Sequence, residues 1–239
     1  MAYDIIIGRD DADKKRFGNS GLIFLGKGYV KMGQYTSLSN QIFMDVARSH
    51  VILVAGKRGS GKSYTLGTIA EELSNLKGEE GKNIASLIFD TMGVFWTMKY
   101  KNEKEKELLS EWGLKSKNLP VRIFAPSGYY SEYEKREIPV DEKFAIKVSE
   151  MLPEDWIIAF NLEITNPVAI IIERTVSQLL EEGDFGIQEI KERIEKDGKS
   201  SAQEKNAAES LFEAAETWKV FAKRGEEGTK ISELIRAGC

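Results

Sequence analysis

Apolar residues fall into three differently spaced zones along this chain. Up to about residue 48 they come as short runs, DIIIG, GLIFLG, YVKMG and QIFMDVA, separated by Gly, Asn and Ser clusters. Such runs between turn formers predict strands. Residues 1–48 therefore read as a small β module, with RDDADKKRFGNSG as a charged loop between its first two strands. In the second zone, VILVA at 51–55 is a continuous, β-branched run, the pattern of a parallel strand covered on both faces. After a glycine-rich interval, Leu66, Ile69, Ala70, Leu73 and Leu76 recur at helical spacing, and Gly78 is placed to end that helix. NIASLIFD predicts a second buried strand that ends at Asp90. Strand, helix and strand make a right-handed βαβ unit, with its ligand beyond the carboxyl ends of the strands.

The third zone is helical. KYKNEKEKELLSEWGLKSKN, with mixed charges, reads as an exposed helix and loop. VRIFAP reads as a strand stopped by Pro126, and the tyrosines of GYYSEYEKRE as loop packing rather than a base-stacking surface. Phe144, Ile146 and Val148 alternate as in a strand. Pro153, Glu154 and Asp155 open a helix. Asn166 caps and Pro167 starts another, with Val168, Ile171, Ile172, Val176, Leu179 and Leu180 on one face and Gly183 at its end. Ile187, Ile190 and Ile194 mark a shorter helix. A long one follows with Ala207, Ala208, Leu211, Phe212, Ala215, Trp218 and Ala222 on its stripe, where Trp218 reads as core. Thr229 is placed to cap KISELIRA, with Gly238 closing it and Cys239 left over. So many helices beside so few strands predict a chain truncated before its next strand.

Composition narrows the class. With 239 residues and 41% hydrophobic content, the chain can form one large domain or a domain plus a small module. A single cysteine excludes a disulfide framework and points to a reducing compartment. No run has the length of a membrane span and the N-terminus lacks a signal-peptide pattern, so a cytoplasmic protein is expected. A net charge of −4 argues against a broadly basic nucleic-acid surface, while a ring that touches DNA only through pore loops remains compatible with it.

The candidate chemistry lies between the strand at 51–55 and its helix. Gly56-Lys57-Arg58-Gly59-Ser60-Gly61-Lys62-Ser63 fits G-x-x-x-x-G-K-[ST]. Glycine permits the positive φ and close approach that aim successive amides, through Tyr64, at a phosphate. The helix start adds free N–H groups and its positive dipole end. In this pattern Lys62 reaches the β- and γ-phosphates and the Ser63 hydroxyl ligates Mg²⁺, so the expected ligands are a nucleoside triphosphate and Mg²⁺. Lys57 and Arg58 occupy variable, solvent-facing positions. Asp90, at a strand end, is a candidate metal-holding carboxylate or a structural one; Thr91 follows it where many ATPases place glutamate.

HVILVAGKRGSGKSYTLGTIAEEL, FDTMGVFW and the helical block together resemble the HerA–FtsK group of P-loop ATPases, and HerA-like proteins in particular. Where those proteins often have Asp-Pro-His-Gly-Glu-Tyr, this chain has Asp90-Thr91-Met92-Gly93-Val94-Phe95. The resemblance implies an α/β fold: a RecA-like parallel-sheet core begun by residues 49–140, a reduced N-terminal barrel at 1–48, and an all-helical insertion at 141–239. It implies ATP as the nucleotide, a homo-oligomeric ring (a hexamer) with DNA in its channel, and a NurA-type nuclease or a defence effector as partner. It also implies that Walker B, its glutamate and the arginine finger lie beyond Cys239. On that reading the chain as it stands binds Mg-ATP weakly or not at all and does not turn over. Other classes stay open: a nucleotide-dependent switch or scaffold, a different P-loop enzyme, or a nucleic-acid binder that uses no energy. No LSGGQ-like run favours an ABC ATPase, and no N-K-x-D run favours a GTPase.

Overall fold

The computed structural model describes residues 3–33, 35–76, 81 and 84–234. The chain divides into two compact units, Met1–Val121 with Leu234–Cys239, and Arg122–Glu233.

The first unit opens with β1 (Ile5–Ile7), α1 (Asp11–Phe17), β2 (Leu22–Met32) and β3 (Tyr35–Asp45). The sheet order is β1-β3-β2, with β1 parallel and β2 antiparallel to the central β3. Phe24 faces Phe43 across β2 and β3, their rings edge to face at 5.7 Å. Two irregularities, at Phe24/Gly26 and Lys27/Tyr29, let the runs GLIFLG and YVKMG join in one long bulged strand.

The expected charged loop is instead α1. It has no apolar stripe, and its stability is local. Asp10 accepts from the Asp13 amide at 2.7 Å, acids occupy the first turn and bases the last, and Gly18 ends it. Charges so placed complement the helix dipole. Periodicity cannot detect such a helix.

α2 (Lys62–Ser74) follows the glycine-rich stretch as expected, but it stops before Leu76; Gly78 lies outside the described residues. None of its residues is fully buried. A 3₁₀ turn (Phe95–Lys99) and α3 (Lys106–Glu111) follow among the described residues of this unit. The two segments expected to start the parallel sheet, 51–55 and 84–90, belong to neither described sheet. Val51, Leu53 and Phe89 stand exposed in them. A strand acquires its ladder only from a neighbour, and among the described residues neither segment has one.

In the second unit β4 (Phe124–Pro126) pairs in parallel with β5 (Glu142–Phe144), and α4 (Tyr130–Lys135) lies between them in the chain. α5 (Pro153–Ala159), α6 (Pro167–Glu182), α7 (Ile187–Glu195), α8 (Ala202–Glu216) and α9 (Ile231–Leu234) follow. The tyrosines expected in a loop thus sit largely in α4. The cap expected at Asn166 is present, accepting from the Val168 amide at 2.9 Å. α8 ends at Glu216, short of Trp218 and Ala222. Beyond it, Ile146 donates to Val220 at 2.8 Å and accepts from Ala222 at 2.9 Å, so strand-like pairing replaces the helix that periodicity predicts there. Trp218 is partly exposed, its ring against Phe160 and Phe221. Thr229 is no helix cap: its hydroxyl accepts from the Ala145 amide at 3.0 Å.

The helices enclose Trp156, Ile172, Val176, Ile190, Ile194, Ala208 and Phe212. Trp156 is the hub, with ring centroids 5.0 Å from Phe212, 5.2 Å from Phe221 and 5.6 Å from Phe160.

Candidate functional site

The glycine-rich loop turns the extended run 51–55 into α2. Gly59 and Gly61 take φ of 80° and 89°, left-handed values that L side chains resist. A Cβ at Gly56 would collide with the Ser60 hydroxyl. Gly59 and Gly61 need glycine for their backbone conformation, while a side chain at position 56 would require Ser60 to shift. The turn is closed by the Ser60 amide donating to the Lys57 carbonyl at 3.2 Å, and α2 begins its ladder with the Thr65 amide on the Gly61 carbonyl at 2.9 Å.

Those two bonds leave an excess of donors. Among the described residues the amides of Gly59, Gly61, Lys62, Ser63 and Tyr64 have no acceptor. Gly61 caps α2 without any side-chain bond. The helix therefore begins with unspent N–H groups and the positive end of its dipole. Lys62 folds back so that Nζ donates to the Lys57 carbonyl at 3.0 Å, which keeps its ammonium on the loop. This donor set, with a cation and the Ser63 hydroxyl beside it in sequence, suits a multiply charged oxyanion and a hard cation.

Tyr64 is held from outside. Its phenol donates to Glu105 Oε2 at 3.2 Å, and Asn102 donates to the same oxygen. Burial, then the Glu105 charge and hydrogen bond, raise the phenol above its ordinary value, so it remains a neutral donor.

Asp90 serves the turn that follows it. Its Oδ2 accepts from the Phe95 amide at 2.7 Å, at the start of the 3₁₀ turn. Its Oδ1 is buried and has no partner. Among the described residues no cluster of three or more metal-binding side chains occurs, and no helix is long and apolar enough to cross a membrane.

One arrangement escaped the sequence reading. Arg9 Nε donates to Asp45 Oδ1 at 3.1 Å, and its terminal nitrogens reach that oxygen and the carbonyls of Gly18, at 2.7 Å, and Ser20, at 2.6 Å. The Ala47 amide also binds Asp45 Oδ1, at 3.1 Å. Asp45 Oδ2 faces His50 Nε2 at 3.1 Å. Burial pushes the Asp45 carboxyl up, but the Arg9, His50 and Ala47 bonds and the Arg9 charge outweigh it and hold the group below its ordinary value. The available signal was an acid closing the apolar run QIFMD and the chain's one histidine just before VILVA.

The family model described as "Helicase HerA, central domain" matches residues 30–237. No curated protein and no solved structure matches the chain.

Proposed function

Since the chain belongs to the family of the HerA helicase central domain, we propose that it is the ATP-binding part of a cytoplasmic, HerA-like DNA translocase. Membership indicates an ATPase of the HerA/FtsK kind. We extend the proposal to translocation, ring assembly as a hexamer around DNA, a nuclease or effector partner, and a RecA-like parallel sheet containing 51–55 and 84–90 in the assembled protein.

The observation that supports the reading best is the set of five amides without acceptors at Gly59, Gly61, Lys62, Ser63 and Tyr64. Exposed N–H groups can be satisfied by water, but a loop shaped by two left-handed glycines and ended by a helix dipole favours a phosphate over water. In this reading the Lys62 ammonium leaves the Lys57 carbonyl for the β- and γ-phosphates. The Ser63 hydroxyl would hold Mg²⁺, which would supply neutralisation of phosphate charge. Asp90 is also assigned to the site as its acidic group, with its unpartnered Oδ1 as the atom available for that role. Turnover is assigned to the assembled protein, because phosphoryl transfer also needs a positioned water and further charge on the γ-phosphate.

The test is a titration of the chain with a fluorescent ATP analogue and Mg²⁺. The resemblance alone implies weak binding or none; the unspent amides of the loop raise that expectation to saturable binding, displaced by unlabelled ATP and lost in Lys62→Ala. A folded parent chain that binds no nucleotide would refute the reading. In the assembled protein, ATP hydrolysis stimulated by DNA separates a translocase from a switch or scaffold.

A further inference from the structure

We infer that Tyr64 and Glu105 form a nucleoside subsite beside the glycine-rich loop, in which the Glu105 carboxylate accepts from ribose hydroxyls and the Tyr64 ring carries the base. The inference deepens the nucleotide reading above and rests on it. Tyr64 contributes the last of the five unspent amides, so its side chain leaves the backbone at the rim of the phosphate cradle. The residue is 68% exposed, yet its tip is fixed, because the phenol donates to Glu105 Oε2 at 3.2 Å. An exposed ring already pinned at one end presents a flat apolar face, and ordering it against a base costs little further entropy.

Glu105 is placed from its own side as well. Its Oε2 also accepts from the Asn102 side-chain amide at 3.2 Å, and its backbone amide donates to Asn102 Oδ1 at 3.2 Å. Among the described residues Oε1 accepts no hydrogen bond and no cation pairs with the carboxylate. A carboxylate with a spare oxygen repels a polyphosphate but suits the uncharged hydroxyls of a ribose, since a hydrogen bond to an ionised acceptor is the stronger kind. It therefore belongs with the nucleoside end of the ligand rather than with the phosphates. The segment that carries it fits this placement. Residues 91–105 follow Asp90 at the end of the run 84–90, and in the proposed parallel sheet the ligand lies beyond the carboxyl ends of the strands. Two contacts draw that segment onto the start of α2: Glu105 on Tyr64, and the Phe95 ring at Gly67, where a Cβ would stand 3.9 Å from it. Tyr64 and Gly67 share one face of the helix, so one wall of chain borders the loop there.

The experiment is a label-free calorimetric titration of the full chain, Glu105→Ala and Glu105→Gln. The probes are ATP, 2′-deoxy-ATP, 3′-deoxy-ATP and inorganic tripolyphosphate, all with Mg²⁺. The parent should bind ATP about tenfold more tightly than at least one deoxy form, a difference of about 1.4 kcal/mol. Glu105→Ala should abolish that preference without weakening tripolyphosphate binding, and Glu105→Gln, whose side-chain oxygen can still accept, should keep part of it. Tyr64→Ala should weaken ATP about tenfold more than it weakens tripolyphosphate, the loss expected for one base stacked on an aromatic ring. A parent that binds ATP no more tightly than either deoxy form overturns the subsite. So does a Glu105→Ala chain that keeps the preference, or one whose loss is shared equally by all four ligands, which marks a structural role. A parent that binds tripolyphosphate as tightly as ATP overturns the subsite while leaving the phosphate-binding loop. A parent that binds none of the four removes the nucleotide reading and the subsite with it.

Discussion

Arg9 and Asp45, 36 residues apart in sequence, form an ion pair from which water is excluded on both sides. Removing one partner of such a pair strands a buried charge, which costs about 3–5 kcal/mol, whereas a well-packed apolar replacement of both partners can be nearly neutral. Arg9→Ala should therefore destabilise the first unit by about that amount. The double variant Arg9→Met with Asp45→Leu should lose markedly less. Urea unfolding followed by the fluorescence of Trp96 and Trp112, in a chain whose other tryptophans are replaced by phenylalanine, reports this unit. Equal losses in the single and double variants would contradict the assignment.

The same carboxylate gives a pH dependence with a definite sign. Asp45 titrates below its ordinary value of 3.8 in the fold, so folding favours its charged form. Its contribution is complete above the unfolded value and is lost as pH falls through the lower folded value. Unfolding midpoints measured from pH 7 down to pH 3 should fall at the acid end. In Asp45→Asn that share of the fall disappears while stability at pH 7 is already reduced.

Elements stabilised by one buried apolar face were legible in the sequence. α6 follows its Ile171, Ile172, Val176 and Leu179 stripe from the Asn166 cap to Gly183, and α7 follows Ile187, Ile190 and Ile194. The glycine-rich loop was legible because its residue types are demanded by backbone geometry. What escaped has other origins. α1 depends on capping and charge order rather than on an apolar face. The stretch after Glu216 has helical periodicity, yet a tertiary partner, Ile146, takes its backbone bonds. The Arg9–Asp45–His50 network joins residues that only the sheet brings together, and a single sequence records no such pairing. The runs 51–55 and 84–90 have strand composition, but composition cannot provide the neighbour a strand requires.

For the loop, Lys62→Ala should weaken binding of the Mg-ATP analogue about a hundredfold, the loss expected for a charge-assisted contact to phosphate. Because Nζ rests on the Lys57 carbonyl in an exposed setting, the folded stability should change little. Ser63→Ala should behave differently: affinity measured in EDTA stays at the parent value, while the gain on adding Mg²⁺ is lost. Calorimetric titration with and without Mg²⁺ separates the two. A Ser63→Ala chain with the full Mg²⁺ gain would remove the metal role from that hydroxyl.

The helical core offers a graded test. Trp156 is fully buried among Phe160, Phe212 and Phe221, but its Nε1 has no hydrogen-bond partner. Trp156→Ala removes the hub and should cost about 3–5 kcal/mol. Trp156→Phe keeps an aromatic ring and discards an unsatisfied donor, so the relief partly offsets the lost volume and the cost should stay below about 1.5 kcal/mol. Denaturant unfolding of the two variants decides. A phenylalanine variant as unstable as the alanine one would mean that the indole N–H is satisfied, by a buried water for instance.

Leu53 and Phe89 are 88% and 84% exposed, in the two apolar runs that lack ladder bonds among the described residues. Extended apolar segments with unspent backbone donors and acceptors pair readily with another chain. The protein at high concentration should therefore self-associate through them, and a charge placed there should block pairing without touching a packed core. Leu53→Lys and Phe89→Lys are expected to shift sedimentation towards the monomer. Each should alter unfolding free energy by no more than about 0.5 kcal/mol, the usual range for exposed positions. Were either substitution to destabilise the chain by several kcal/mol, the run would have to be packed in solution, and pairing through an exposed edge would be refuted.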